Sequence, residues 1–518
     1  FNQIRNVDIG PSYPAEPVFA DRQLPAVLTS KTLKDTYGLA FNFPIPSTLE
    51  VYRNKPEQYL SNLIGHEGEG SLHHLMNARG WIESLSAGSQ DFDRNTSLLT
   101  VNIELTKAGR DHVEEITDLL FQYLDMLRAQ PPQDWLYQEQ ARVAELGFRF
   151  QEKGSTVGFV YRMAPSLDLY PAEDLLVAPY LMEAFDPALI EKFLNYLRPD
   201  NVLLEVTAPD STTDQIEPWF KVPFALERAA LKRLAVTDAQ LHLPEVNPFL
   251  PEQLDLVAAD DQIMRRFIDQ PELKLWLDTD IEFGAPRANM TLGLLTETGL
   301  LSAENQAQAI LLQRLVNDSL SAVTYPAYLA GLGYSINVSD SGFAISVNGY
   351  QDKQMALLKT VTERLFSTAI STERFTTIKS SLIKDWRNSS KDKPYLQALG
   401  ALGDTFLSGS WPATTLADAL EPINLDALLQ WRRQQLKTVG VIAALHGNVR
   451  VADAEQLRDF VNTTIKPKTV IRQRSEIADL TENLRLDLAV DHDDSALLIY
   501  VQAVSYTHLR AHETERNL

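Results

Sequence analysis

Two hydrophobic spacings alternate along this chain. In some stretches apolar residues recur every three or four positions, and in others they alternate with polar residues or form short apolar runs. The first spacing places apolar side chains on one face of a helix, and the second is typical of strands. The first predicts helices that begin at Pro56 and Leu72, and helices over residues 113–127, 306–330 and 353–366. The second predicts strands over residues 38–43, 98–105, 201–207, 289–295, 343–347, 439–445 and 497–502.

Glycine and proline mark where these helices begin and end. Pro56 suits the first turn of a helix, where a missing N–H is no loss. Gly65 and two further glycines interrupt this helix, and Gly80 is expected to end the one that follows. Gly331 and Gly333 are expected to end the long helix of the second half in the same way.

The second half of the chain repeats the plan of the first half. Four corresponding elements follow in the same order, offset by about 240–250 residues, which indicates an internal duplication. Each copy mixes antiparallel-type strands with several helices, so the predicted fold class is α+β rather than a doubly wound sheet. Pro244, Pro248 and Pro251 mark a stiff connector between the copies.

Composition narrows the function classes. A chain of 518 residues suggests two to four domains. A net charge of −22 argues against nucleic acid as a partner. The chain has no cysteine, which excludes disulfides and thiolate metal ligands. Apolar runs such as residues 441–445 are far too short for a membrane span, so no membrane insertion is expected.

The sequence contains few residue patterns that are typical of catalytic sites. His66, Glu69 and His73 would share a face if one helix ran through them, but the intervening glycines argue against such a helix and a further ligand is not evident. We therefore expect no metal to be bound by this chain. The serine-hydrolase elbow, the phosphate-binding loop and the dinucleotide fingerprint do not occur, nor does the inverted zinc motif H-x-x-E-H.

Residues 63–88, which read LIGHEGEGSLHHLMNARGWIESLSAG, resemble the start of the second domain of the insulinase/pitrilysin family of zinc peptidases. Further short motifs resemble the family in the same order along residues 40–502. They are YL at 59–60, FQY at 121–123, FRF at 148–150, LRPDNV at 197–202, NPFLP at 247–251, LW at 275–276, PRA at 286–288, LAGL at 329–332, GYQDKQ at 349–354 and LHGN at 445–448. Their shared order makes the resemblance specific.

The resemblance implies two related large α/β-roll domains of the LuxS/insulinase-like metallopeptidase type. Family members have four related domains in two bowl-shaped halves around a chamber, and the first domain carries H-x-x-E-H. The alignment divides this chain into the end of a first domain (1–25), a second domain (26–238), a connector between halves (239–275), a third domain (276–485), the start of a fourth domain (486–502) and a tail of non-native character (503–518).

The family's second domain also has an exosite, which anchors the N-terminus of a peptide substrate. Carried over by position, the resemblance assigns it to Gly65, Glu67, Leu85 and Ala87. An edge strand can pair with an incoming peptide, and a carboxylate can bind the α-ammonium group. Ala87 stands where relatives often have glycine. The alternative is that the Gly-His-Glu segment is a turn that only fixes helix packing.

The expected function follows from the resemblance. The chain is read as part of a zinc-dependent metalloendopeptidase or oligopeptidase, with zinc bound in the parent enzyme and none here, so that this chain binds peptide without cleaving it. Its partners would be peptide substrates and the absent catalytic and fourth domains. The alternative is a non-catalytic partner subunit of a two-chain peptidase. A periplasmic location is expected, as in the bacterial pitrilysin branch, and a cytoplasmic one stays open.

Overall fold

The structure is a computed structural model that describes residues 19, 23–32, 35–152, 154–231, 238, 240–258, 264–280, 282–480, 482–490 and 492–502. The predicted non-native tail at 503–518 lies outside the described residues, as does most of the predicted first-domain remnant at 1–25. Backbone contacts divide the chain into two compact units. The first comprises Phe1–Leu250 with Ser321–Ala330, and the second comprises Pro251–Leu320 with Gly331–Leu518.

A seven-stranded sheet forms the framework of the first unit. Its strands are β1 (Ala26–Lys31), β2 (Tyr37–Pro46), β3 (Ile82–Asp91), β4 (Thr96–Leu105), β5 (Leu203–Ala208), β6 (Gln215–Ile216) and β7 (Pro223–Glu227). They lie in the order β3-β4-β2-β5-β1-β7-β6, so β3 is one edge of the sheet. Only β1 and β5 run parallel, with Ala26 opposite Leu203, and the other pairs are antiparallel.

Six helices accompany this sheet in the part of the unit that the structure describes. They are α1 (Pro56–Ile64), α2 (Leu72–Ala78), α3 (Val113–Arg128), α4 (Asp134–Arg149), α5 (Thr156–Ser166) and α6 (Pro187–Leu194). The apolar stripe of α3 is buried as its spacing predicts. Its Phe121 meets Phe41 and Phe43 of β2 edge to face, with ring centroids 6.4 and 6.2 Å apart. This aromatic cluster fixes α3 against the centre of the sheet.

A six-stranded sheet forms the framework of the second unit. Its strands are β8 (Met264–Asp269), β9 (Leu273–Thr279), β10 (Arg287–Thr296), β11 (Leu332–Ser339), β12 (Gly342–Tyr350) and β13 (Val439–Gly447), in the order β11-β12-β10-β13-β9-β8. Only β9 and β13 run parallel. The helices of this part of the chain are α7 (Ala303–Leu329), α8 (Gln354–Ser367), α9 (Thr372–Asn388), α10 (Pro394–Phe406), α11 (Ala413–Leu420), α12 (Leu425–Gln435) and α13 (Val451–Phe460).

The two sheets share one topology, which confirms the predicted α+β fold and its duplication. Reading inward from an edge, β3, β4, β2, β5 and β1 correspond to β11, β12, β10, β13 and β9, and each pair keeps its parallel or antiparallel sense. The next strand differs in origin. In the first unit β7 is the last strand in sequence order, whereas in the second unit β8 is the first.

Most predicted elements form close to their predicted bounds, with two corrections. Gly80 and Gly331 end their helices with left-handed φ angles of 69° and 77°, but Gly333 lies inside β11. The strand predicted over residues 497–502 is wrong, because this described segment pairs with no strand of either sheet. An apolar run without a ladder partner cannot satisfy its backbone groups as a strand.

The sequence patterns also missed β1 and β9, the central parallel partners. No helix among the described residues combines the length and the apolar character that a membrane crossing requires.

Candidate functional site

A glycine-rich turn connects α1 to α2 in the first unit. Gly65 caps α1, and its N–H donates to the carbonyl oxygen of Ser61 at 2.9 Å. Ser71 caps the start of α2, where its hydroxyl accepts a hydrogen bond from the His74 N–H at 3.1 Å. Gly70 has a φ of 81°, a conformation that glycine adopts without strain. The turn is therefore fixed at both ends.

The edge strand β3 lies beside this turn. A Cβ added to Gly65 would lie 3.2 Å from the backbone nitrogen of Ala87 and 3.1 Å from the Ser61 carbonyl oxygen, so only glycine fits here without displacement. The structure thus brings Gly65 and Ala87, two of the four predicted site residues, into direct proximity. Within the described residues β3 pairs with β4 alone, which leaves the backbone groups of its outer edge without a ladder partner.

The side chain of Leu85 in the edge strand points into the core, so this residue can offer a ligand only its backbone. It lies opposite Ile103 of β4, and its side chain is 4% exposed in the core. A ligand at this edge would therefore meet the N–H and C=O groups of Leu85 rather than its side chain. The backbone role that the resemblance gives to this position stays a prediction.

Glu67 supplies a carboxylate in the same turn. Its side chain is half-buried, and burial raises the pKa of the carboxyl above its ordinary value. Among the described residues it has no cation within ion-pair distance. A partly desolvated carboxylate of this kind is stabilised by a cation that arrives with a ligand.

Tyr325 closes the other side of the turn, and sequence reasoning missed it. Its hydroxyl donates to the Gly65 carbonyl oxygen at 3.3 Å. Burial, and then the negative charge of Glu67, raise the pKa of Tyr325 above its ordinary value, so the hydroxyl stays protonated as a donor. The only sequence signal was an aromatic residue near the end of a long helix, a position that more often serves packing.

His66, between the two predicted site residues, has a structural role. It is buried, its Nδ1 accepts a hydrogen bond from the Gly68 N–H at 3.0 Å, and its ring meets that of Tyr325 edge to face at 4.7 Å. Burial lowers the pKa of His66 to about 4, so the imidazole is neutral. A Cβ added to Gly68 would lie 2.5 Å from the His66 ring, which explains glycine there.

The His66, Glu69 and His73 trio does not fit a metal. The Nδ1 lone pair of His66 is already used, and α1 and α2 are separate helices rather than one. Among the described residues no three His, Asp or Glu side chains are grouped as a metal would need. We therefore derive no step through a metal at this site.

Comparison with known proteins decides the family. The model for the "middle or third domain of peptidase_M16" matches residues 148–419, and the model for the "peptidase M16 inactive domain" matches residues 1–143. The chain belongs to the M16 peptidase family. This is the insulinase/pitrilysin family of zinc metallopeptidases, and the resemblance read from the sequence is confirmed.

Several M16 relatives align along nearly the whole chain. Insulin-degrading enzyme of Homo sapiens is 31% identical over 476 residues, which are 90% of this chain and 47% of the relative. Insulin-degrading enzyme-like 1, peroxisomal, of Arabidopsis thaliana is 29% identical over 529 residues, covering 97% of this chain and 54% of the relative. The crystal structure of pitrilysin superposes with a TM-score of 0.70 at 20% identity, covering 85% of this chain and 48% of that one.

The matched regions show which domains of the M16 family this chain contains. It spans about half the length of the curated relatives that it matches, and the matching models describe inactive and middle domains. The family is one of metallopeptidases, and this chain carries its inactive and middle domains.

Proposed function

We propose that this chain is the peptide-binding part of a zinc metalloendopeptidase that degrades peptides in an enclosed chamber. In this proposal it anchors the N-terminus of a peptide at Gly65, Glu67, Leu85 and Ala87 and hydrolyses nothing itself. The observation that carries the proposal is the half-buried Glu67 carboxylate, without a cation among the described residues, in the turn next to an unpaired edge strand.

The geometry suits a peptide that enters as an added strand. The backbone of β3 around Leu85 and Ala87 offers N–H and C=O groups to an extended peptide, which would gain main-chain hydrogen bonds irrespective of its sequence. The α-ammonium group of the peptide would bind Glu67 by a charge-assisted hydrogen bond, worth about 1.5–3 kcal/mol. Selection for a free N-terminus would come from this single contact.

A binding assay tests the exosite. Fluorescence anisotropy compares one peptide, labelled at its C-terminus, with either a free or an acetylated N-terminus. We expect acetylation and Glu67→Gln each to weaken binding by about tenfold or more, and together by no more than either alone. Glu191→Gln, an exposed change of the same kind on α6, is the matched control. Equal affinity for both peptides, or no effect of Glu67→Gln, contradicts the proposal.

A turnover assay tests the absence of hydrolysis. The chain is incubated with fluorogenic peptides and zinc. The expected result is no cleavage, because the H-x-x-E-H motif does not occur in the sequence and because the described residues group no metal ligands. Cleavage that persists after repurification and stops with a chelator would count against this part of the proposal.

The second candidate function is a non-catalytic partner subunit that completes a chamber with a separate catalytic chain. It is favoured by the match to an inactive-domain model together with the missing zinc motif. The reading frame around this sequence discriminates the two, since a continuous frame that contains H-x-x-E-H supports a single-chain enzyme.

A periplasmic location is part of the first proposal. Its test is fractionation of the cells that produce the protein, and recovery of the protein in the cytoplasmic fraction is the contrary result.

A further inference from the structure

A cavity of about 720 Å³ lies inside the first unit, next to the turn that follows α1. Its walls come from α1, from α4, from residues 242–250 and from residues 322–329. This volume is in the range of pockets that hold small organic ligands. The cavity is separate from the outer edge of β3, because no residue of β3 lines it.

The walls are largely apolar. Leu136 and Val143 of α4 line it, as do Met182, Phe249 and Leu329. Leu136 and Phe249 are buried in the fold, so this surface belongs to the framework and not to a loop tip. Such walls stabilise a ligand with an aliphatic body.

Carboxylates outnumber ammonium groups among the side chains that line the cavity. Three carboxylates line it, from Glu69, Glu139 and Glu245, against the single ammonium group of Lys55. Burial lowers the pKa of Lys55, and the opposing carboxylates that act on it are those of Glu57 and of Asp91, outside the cavity. The lining therefore favours a positively charged ligand.

Two neighbouring residues of α4 offer acceptors to such a ligand. Glu139 accepts the Asn247 N–H at 2.9 Å, and burial raises the pKa of its carboxyl, so the charge lacks full compensation. Gln140 donates through Nε2 to Asn62 Oδ1 at 3.2 Å, while its buried Oε1 has no hydrogen-bond partner. An unsatisfied buried acceptor is costly, and because Gln140 lines the cavity, a turn of its amide towards the cavity would let a donor group on a ligand satisfy it.

We propose that this cavity binds an organic cation, an alkylammonium or alkylguanidinium group on an aliphatic body, with the charged end at Glu139 and Gln140. The same chemistry occurs in free amines and in the lysine and arginine side chains of peptides. The proposal does not depend on the exosite, since the two sites use different side chains.

Ligand-observed NMR titration tests the proposal on the whole chain. Hexylamine should bind saturably, and hexanoate, which has the same chain length and the opposite charge, should bind about tenfold more weakly or not at all. N-acetyl-lysine amide identifies the source. If it displaces hexylamine, the cavity accepts peptide side chains, and if it does not, the cavity selects free amines. Failure of hexylamine to saturate, or equal binding of hexanoate, overturns the proposal.

Three variants locate the charged end. Glu139→Gln keeps an acceptor for Asn247 but removes the charge, and should weaken hexylamine binding about tenfold. Glu145→Gln, an exposed change on the same helix outside the cavity, should alter the affinity for hexylamine by no more than about twofold. Gln140→Glu places a second carboxylate at the free acceptor and should tighten binding, a gain that misfolding cannot imitate. Unchanged binding in both Glu139→Gln and Gln140→Glu contradicts the assignment.

Discussion

The hydroxyl of Tyr325 donates a hydrogen bond to the carbonyl oxygen of Gly65, 3.3 Å away and 260 positions earlier in the chain. Gly65 is also the residue whose missing side chain lets β3 approach α1. One backbone carbonyl is therefore held from a distant part of the sequence, directly beside the edge strand where we propose that a peptide binds.

Removing this hydrogen bond should loosen the turn. Tyr325→Phe keeps the ring that contacts His66 and deletes the donor, so we expect a loss of about 0.5–1.5 kcal/mol in the free energy of unfolding. Weaker anchoring of a free peptide N-terminus should accompany it. Tyr328→Phe removes a hydroxyl from a side chain that is 72% exposed and serves as the control in urea unfolding. Equal effects of the two changes would contradict a specific role for Tyr325.

Gly68 should be intolerant of any side chain. A Cβ there would lie 2.5 Å from the ring of His66, which is buried and held by a hydrogen bond and an aromatic contact. Gly68→Ala is expected to cost about 1–3 kcal/mol of unfolding free energy. Gly88→Ala, where an added Cβ meets nothing within 4 Å, is the control and should be neutral or slightly stabilising. A neutral Gly68→Ala would show that His66 is free to move.

Glu57 should make stability depend on pH. The pKa of this carboxyl is raised from 4.5 to about 7, mainly by burial, while a backbone hydrogen bond and the charge of Lys55 oppose the rise and the nearby Asp91 contributes a smaller part of it. Because the folded state binds the proton more tightly than the unfolded state, stability is highest below pH 4.5 for this group and falls as pH rises towards 7. The full change corresponds to about 3 kcal/mol.

The test compares urea unfolding of the wild type and Glu57→Gln at pH 5 and pH 8. The difference between the two proteins isolates Glu57 from other groups that titrate in the same range. We expect the variant to lose less stability than the wild type on going from pH 5 to pH 8. Glu191→Gln, on the surface of α6, should follow the wild-type profile. A parallel profile for Glu57→Gln would mean that the carboxyl is solvated.

Gly342 should be essential to the second sheet. Gly342 begins β12, directly after the turn that follows β11, and its φ is 143°. A Cβ added to it would lie 2.1 Å from the carbonyl oxygen of Leu294 on β10. Gly342→Ala should destabilise this unit by more than 1 kcal/mol, because backbone atoms on the neighbouring strand have to move. Gly400→Ala on α10 meets nothing within 4 Å and should stabilise by up to about 1 kcal/mol. Thermal unfolding of both variants checks this contrast.

Local periodicity was enough to predict the long helices and the central antiparallel strands. The buried stripe of α3 includes Ile116, Leu120 and Leu124, which recur at the spacing read from the sequence. The strand predicted over residues 497–502 failed because a strand also needs a partner, which a local pattern does not contain. Information about contacts between distant parts of the chain came from the duplication, seen as elements recurring in order, and from the family resemblance.

The candidate site was predictable in part only. The proximity of Gly65 and Ala87 was implied by the resemblance and is present in the structure, while the exosite role of these residues stays a prediction. Tyr325 was not predictable, because its hydrogen bond joins residues 260 positions apart. The cavity beside α4 was equally hidden, since its wall combines α1, α4 and residues 242–250, none of which carries a recognisable binding motif.

The different origins of β7 and β8 determine where this chain can be divided. The edge-side strand β7 (Pro223–Glu227) precedes the connector predicted at 239–275, whereas β8 (Met264–Asp269) lies within it. A break introduced between residues 250 and 264 would leave every ladder of both sheets intact, whereas a break at residue 276 would strip β8 and half of β9 from the second sheet. A chain that begins before Met264 therefore keeps the whole second sheet, while Ser321–Ala330, which belongs to the first unit, stays on the far side of such a break.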